Sequence, residues 1–282
     1  MRVEDLETEF RTDDGVEKVL HGVSFDVKKG RTLGLVGESG SGKSVTAMSV
    51  MGLLPKPYGR VTNGKVLYRE TNLLELSAQD MCAMRGDRIS MIFQDPMTAL
   101  NPVYTIGKQL NEVLELHRPE LNKKERNRYS LDMLNKVQIP MAEKRLHEYP
   151  HSLSGGMRQR VMIAMALACK PDILICDEPT TALDVTIQAE ILKLMKALQE
   201  ETQMAMIFIT HDLGVVAEIC DDVAVMYGGK VLETADVFEL FDHPRHPYTQ
   251  RLLGLIPSAE RPSKKMIPLE PIDPSRFAEF GE

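Results

Sequence analysis

A chain of 282 residues with 43% hydrophobic side chains is long enough for one large domain, or one domain plus a small appendage, around a real core. It holds 41 acidic against 34 basic residues, a formal charge of −7, and no tryptophan. The net charge offers no overall basic field to release counterions, and aromatics are few for stacking on bases, so nucleic acid is not an expected partner. The longest apolar run, Val161–Cys169, is far too short for a bilayer, and any membrane role must go through partner subunits. Cys82, Cys169, Cys176 and Cys220 form no C-x-x-C pair, and buried, reduced thiols in a cytosolic protein are expected. Met1 leads directly into an acidic, strand-like stretch with no targeting signal.

Residues 3 to 36 read as β structure. Val23, Phe25 and Val27 alternate with polar neighbours, and Asp14-Gly15 and Lys29-Gly30 are turn signals. Thr32–Val36 reads as a short buried strand. Gly37, Glu38, Ser39, Gly40, Ser41, Gly42, Lys43 and Ser44 follow as G-x-x-x-x-G-K-[ST], the Walker A phosphate-binding loop, and Lys43–Leu54 reads as a helix. The glycines let backbone N–H groups turn inward around a polyphosphate, and the helix N-terminus adds partial positive charge. Lys43 can reach the β- and γ-phosphates, and the Ser44 hydroxyl can ligate Mg²⁺. An adenine ring beside such a loop needs an apolar platform, for which Phe10 and Val16 are both open.

Residues 55 to 75 carry turn formers and a strand near Lys65–Tyr68. A further strand, Arg88–Phe93, ends at Gln94-Asp95-Pro96. Gln94 at a strand end can accept Mg²⁺ or orient water. Ile106–His117 and Lys123–Val137 are helical, as an insertion between two halves of an α/β core. The basic run Lys123, Lys124, Arg126 and Arg128 reads as a solvated helix face. Ser154, Gly155 and Gly156 precede a long apolar helix. Taken alone they are an N-cap and a turn; beside the first loop they are a second anion-binding helix start.

Ile173–Cys176 is an apolar strand ending in Asp177-Glu178-Pro179, the Walker B pattern, which presents a carboxylate to Mg²⁺. Glu178 can point at an attacking water. Thr181–Asp184 lead into a helix with an apolar stripe at Ile187, Ile191, Leu194, Met195 and Leu198. The strand Met206–Ile209 ends at Thr210-His211-Asp212, which puts His211 in the same topological place as Asp177. Val223–Tyr227, Gly228-Gly229 and Lys230–Glu233 read as a β-hairpin. The chain then carries HPRHPYTQRLL (243 to 253) and a Pro-rich tail (257 to 274) expected to be extended.

Six pieces in this order are highly specific: GESGSGKS (37 to 44), FQDP (93 to 96), LSGGM (153 to 157), ILICDEP (173 to 179), TALD (181 to 184) and ITHD (209 to 212). Over residues 1 to about 255 the chain resembles the ATP-binding subunits of ABC transporters. FQDPMTALNP (93 to 102), DEPTTALDVTIQAEI (177 to 191) and RHPYTQRLL (245 to 253) are similar to the oligopeptide/dipeptide importer branch. The resemblance implies an α/β fold: a P-loop NTPase (RecA-like) core, an N-terminal antiparallel β subdomain and a helical signature subdomain at about 97–160, with residues 256–282 as a tail.

The resemblance also implies roles. Gly37 to Ser44 would bind the phosphates of ATP, and Ser44, Gln94 and Asp177 would serve Mg²⁺. Glu178 would be the general base and His211 the switch histidine at the γ-phosphate. Asp184 would lie at a dimer interface, and Ser154, Gly155 and Gly156 would complete the opposite subunit's site. The implied partners are a second ATPase subunit (a paralogue or a second copy), two membrane permease subunits and an extracytoplasmic substrate-binding protein, with the chain peripheral on the cytoplasmic membrane face. Members of this branch often end in a Cys-bearing tail that can hold an iron–sulfur cluster. No Cys follows Cys220 here, so no cluster is expected. Nickel, glutathione or oligosaccharide cargo remains an alternative to peptides, and a soluble ABC ATPase acting on DNA or ribosomes is a more distant one.

Overall fold

The computed structural model describes residues 1–95, 99–181 and 183–254. Pro96, Ala182 and the 257–274 stretch lie outside the described residues.

In chain order the elements are β1 (Arg2–Thr12), β2 (Gly15–Asp26), β3 (Thr32–Val36), α1 (Lys43–Val50), β4 (Gly59–Tyr68), β5 (Thr71–Asn72), α2 (Ala78–Met84) and β6 (Ile89–Ile92). Next come α3 (Ile106–His117), α4 (Lys123–Lys136), α5 (Ala142–Arg145), α6 (Gly155–Leu167), β7 (Ile173–Asp177), α7 (Val185–Thr202), β8 (Ala205–Thr210) and α8 (Leu213–Ile219). The hairpin strands β9 (Asp222–Tyr227) and β10 (Lys230–Asp236), then α9 (Val237–Asp242) and α10 (Pro247–Gly254), complete the described chain.

The strands form two sheets. One is antiparallel, in the order β2-β1-β4-β5; the other runs β10-β9-β3-β8-β7-β6. In the second sheet β9, β3, β8, β7 and β6 are parallel and β10 returns antiparallel. Every residue of β3, β7 and β8 is buried. That is why these segments read as unbroken apolar runs rather than alternating ones.

Side chains still divide by the two-residue period of a strand. Ile173 and Ile175, with Ile207 and Ile209, face Leu6, Leu20, Ala47 and Val50, between the sheets and α1. Leu174 and Cys176, with Met206 and Phe208, face Leu110, Leu134, Ile163 and Ile191 of the helical layer. The helices between β6 and β7 form the expected excursion. Arg118, just past α3, ties them back by donating to Asp87 Oδ1 (2.6 Å) and Cys169 O (2.8 Å).

Three sequence expectations need correction. The first helix stops at Val50, not Leu54. Gly52 takes φ 59°, Gly52 N–H bonds Ser49 O, and Leu53 N–H bonds Met48 O, a Schellman end that satisfies the last carbonyls. The strand expected at Lys65–Tyr68 begins at Gly59. β1 pairs with it from Phe10–Gly59 to Arg2–Leu67, through register shifts between Glu4 and Thr8. Those bulges place Asn and Gly inside a strand, where sequence rules read a loop. Cys82 is exposed, unlike the three buried cysteines, because only Met81 of α2 faces the core.

The β9–β10 hairpin joins the two sheets to the Walker A loop. Gly229 N–H bonds Ser41 O (3.1 Å), and Gly229 O accepts from His21 N–H (2.9 Å). Its φ is 75°, and a Cβ there would lie 2.0 Å from Val19 O. The left-handed backbone alone costs an L-residue about 1–2 kcal/mol, before that clash is relieved. Gly229→Ala should therefore lower the melting temperature by about 4 °C or more, measured by circular dichroism; an unchanged melt would show that the hairpin does not constrain the fold.

Candidate functional site

Parallel register aligns the carboxyl ends of four strands. Val36 pairs with Thr210, Asp177 with Ile209, and Ile92 with Cys176. The residues just beyond these ends therefore share one edge of the sheet, where open α/β sheets bind ligands.

At the end of β3 the chain turns through Gly37, whose added Cβ would lie 2.1 Å from Met226 O. Only glycine lets the loop pass so close to β9. Gly42 then starts α1, and its carbonyl accepts from Thr46 N–H (2.8 Å) and Thr46 Oγ1 (2.9 Å). Lys43 is buried and curls back over the loop. Its Nζ donates to Gly37 O and Glu38 O, each at 2.8 Å, and to Ser41 Oγ at 3.4 Å. Burial holds the Lys43 ammonium below its ordinary range, against the opposing pull of Glu178, Asp177 and Glu38.

Ser44 Oγ donates to Asp177 Oδ1 at 2.9 Å, joining the start of α1 to the end of β7. Burial pushes the Asp177 carboxyl up, the Ser44 hydrogen bond pulls it down, and the charge of Glu178 adds to the rise. The next residue, Glu178, sits at φ 45° with its N–H on Ile209 O (3.0 Å). That left-handed turn swings its carboxylate across the sheet edge, at a strain cost of about 1–3 kcal/mol.

The Glu178 carboxylate gathers three side chains. Oε1 lies 3.1 Å from His211 Nδ1; Oε2 accepts from Gln94 Nε2 at 3.1 Å and from Thr181 Oγ1 at 3.0 Å. Burial pushes the Glu178 carboxyl up, but hydrogen bonds from His211 and Thr181 and the charge of Lys43 outweigh it. The net position is below the ordinary carboxylate range. Adjacent carboxylates are thus driven apart, Asp177 upward and Glu178 downward, as is typical of sites that divide roles between two acids.

Walker A, Gln94, Asp177, Glu178 and His211 therefore form one connected cluster. Thr181 joins it unforeseen; its position three residues after Glu178, on a tight turn, is the available signal. Ser154, Gly155 and Gly156 make their own contacts, and an added Cβ on Gly155 would lie 3.8 Å from Leu183. Ser154 caps α6 by accepting from Met157 N–H (3.3 Å), and an added Cβ on Gly156 would lie 2.7 Å from Ile187 of α7. Asp184 caps α7 through Ile187 N–H (3.0 Å). Among the described residues, no hydrogen bond links these groups to Lys43 or Glu178. Phe10 is half-buried against Gly59 and Leu54, whereas Val16 is 59% exposed on β2.

The arrangement is a cation and a row of backbone donors beside two carboxylates of unequal basicity. A polyphosphate offers Lys43 stronger acceptors than the two carbonyls it now holds. No helix among the described residues is long and apolar enough to cross a membrane.

The comparisons agree with this geometry. The model of the ABC transporter family matches residues 20–181. A protein of Sinorhizobium fredii described as a probable peptide ABC transporter ATP-binding protein, y4tR, is 53% identical over 266 residues, covering 94% of this chain and 79% of that one. The dipeptide transport ATP-binding protein DppD of Bacillus subtilis is 51% identical over 278 residues, covering 99% and 83%. Among solved structures, the dimeric post-hydrolysis state of the ATP-binding cassette MJ0796, bound to ADP and Pi, superposes with a TM-score of 0.74 at 27% identity, covering 84% of this chain and 98% of that one. With the Walker loops on one sheet edge and half its length matched by the family model, this chain belongs to the ABC transporter family, as one of its ATP-binding proteins.

Proposed function

We propose that the chain is the ATP-hydrolysing motor subunit of a peptide importer. The observation that carries the reading is the Glu178 carboxylate, hydrogen-bonded by His211, Gln94 and Thr181 beside Lys43 and the Ser44–Asp177 pair. Peptide cargo is supported by two relatives at about 50% identity, one described as a probable peptide and the other as a dipeptide transport protein.

Gly37 to Ser44 cradle the phosphates of ATP, and Lys43 turns from the carbonyls of Gly37 and Glu38 to the β- and γ-phosphates. The donor set suits Mg²⁺: Ser44 Oγ and Asp177 Oδ1 are hard oxygen donors already 2.9 Å apart, and Gln94 can add a carbonyl oxygen. When bound, the ion neutralises charge on the transferring phosphoryl group. Glu178 accepts the proton of the attacking water, and His211 on its Oε1 fixes the carboxylate and faces the γ-phosphate. Catalysis rests on positioning and charge neutralisation.

Ser154, Gly155 and Gly156 act on a second subunit's nucleotide, and Asp184 lies at the same interface. The absence, among the described residues, of a hydrogen bond from them to this chain's own cluster, and the dimeric state of a superposing cassette, support that assignment. ATP between the two surfaces closes the dimer, and loss of the γ-phosphate reopens it. Gln94, exposed on the loop after β6, links the site to the membrane subunits. The working assembly holds a second ATPase subunit, two permeases and an extracytoplasmic binding protein, with residues 1–255 as the cassette and 97–160 as its helical part. The chain itself is peripheral on the cytoplasmic face of the membrane.

The primary test is ATP hydrolysis by the purified chain, alone and co-assembled with a permease pair and a second ATPase subunit. Activity that rises strongly only in the assembly supports a transport motor; stimulation by DNA or ribosomes instead would overturn transport. Glu178→Gln should keep ATP binding, accumulate an ATP-bound dimer on size exclusion, and lower turnover by about 10²-fold or more. Rapid steady-state turnover by that variant would remove Glu178 as the base.

Asp177→Asn separates function from stability. Burial raises the folded-state pKa of Asp177, so its ionised form opposes folding at pH values above that pKa and is relieved as pH falls through it. At neutral pH the nucleotide-free variant should melt no lower than wild type while losing Mg²⁺-dependent hydrolysis. A lower melt would show that the Ser44 bond outweighs the buried charge. Lys43→Ala should lose nucleotide affinity, read by titration with a fluorescent ATP analogue.

A further inference from the structure

The RHPYTQ segment, residues 245–250, has no part in the chemistry above, yet it reaches the Walker A loop. Its anchor is Glu233, on β10 where the pairing register with β9 shifts between Val231 and Glu233. Such a bulge re-aims a side chain. Glu233 Oε1 accepts from Arg245 N–H (2.8 Å) and Oε2 from His246 N–H (3.0 Å). His246 Nδ1 then accepts from Tyr248 N–H (3.1 Å) at the start of α10.

These bonds drive Tyr248 into the core. It is 1% exposed, with its ring 4.7 Å from the Tyr227 ring at the end of β9, tilted by 50°. Its Oη accepts the N–H of Glu38, the second residue of the phosphate-binding loop, at 3.2 Å. Glu38 is also one of the two residues whose carbonyl receives Lys43 Nζ. The same residue is therefore held on its amide side by Tyr248 and on its carbonyl side by Lys43. If Lys43 turns to a polyphosphate, the carbonyl hold is released and the amide hold is not. Burial pushes the phenol up to about 12, so it stays an uncharged acceptor and adds no negative charge beside a phosphate.

We propose that Tyr248 is a positioning residue of the ATP site: it pins Glu38 through its amide, so the loop keeps its phosphate-binding shape when Lys43 leaves the Glu38 carbonyl. The RHPYTQ segment is then the strut that carries Tyr248, and Glu233 is its footing. This rests on the ATP-site reading above.

The test is Tyr248→Phe in the full chain, which keeps the ring and removes the acceptor. Leaving a partly buried N–H unpaired should raise the Kd of a fluorescent ATP analogue in Mg²⁺ by about threefold to tenfold, and the KM for ATP similarly, with kcat within about twofold. The nucleotide-free melting temperature should stay within about 4 °C of wild type. Glu233→Gln should shift Kd in the same direction by a smaller factor. Binding by Tyr248→Phe within twofold of a wild type that itself binds ATP would overturn the proposal and leave the ATP site standing. So would a loss of affinity accompanied by a larger fall in the melt, which marks general destabilisation. Failure of the wild type to bind ATP would overturn the site reading itself.

Discussion

Parallel pairing of β6, β7, β8 and β3 in one register is the constraint on which the molecule depends. Gly37, Gln94, Glu178 and His211 come from positions as far as 174 residues apart in the chain, and none is held near another by local geometry. They meet because Gly37, Glu178 and His211 directly follow, and Gln94 lies two residues past, the last residue of a strand whose neighbour ends beside it. A one-residue slip in any of these pairs would turn that strand's side chains to the opposite face. The split of Ile175 and Ile207 from Cys176 and Phe208 between two apolar layers makes such a slip expensive. The core thus protects the alignment of the site.

The site keeps groups in places that packing alone would disfavour. An ammonium and two carboxylates sit at the edge of an apolar sheet, Asp177 is driven toward its neutral form, and Glu178 takes a left-handed backbone. Each local cost is met by a hydrogen-bonding partner: carbonyls of its own loop for Lys43, Ser44 from a distant segment for Asp177, and the distant His211 with the nearby Thr181 for Glu178. Conflicts between local preference and the whole fold are expected where a protein does chemistry.

The signature turn follows a different logic. Ser154, Gly155 and Gly156 start a helix and pack against α7, so within one chain they are a capped terminus. A helix start with unpaired donors is an anion site only when a second surface brings the anion. The same segment is thus structural in one chain and, in the proposed dimer, part of the site across the interface.

Much of this protein was legible in its residues. The three buried strands that carry the site, the helices 106–117 and 123–136, the hairpin at Gly228-Gly229 and the strand-end placement of Gln94, Asp177, Glu178 and His211 all follow from periodicity and turn chemistry, because those signals are local. The bulged start of β4 and the exposure of Cys82 were not legible, since pairing across a sheet and the facing of a short helix depend on distant neighbours. Nor could the residues show that Thr181 reaches Glu178, or that Tyr248 lies on the amide of Glu38. In the chain, RHPYTQ is only a family marker. Its place against the Walker A loop is decided by Glu233 and the bulge of β10, which let Tyr248 meet Glu38 across 210 residues of chain, a contact only a folded sheet can make. Sequence determines which groups are available and where each strand ends; tertiary packing decides which of them share a hydrogen bond.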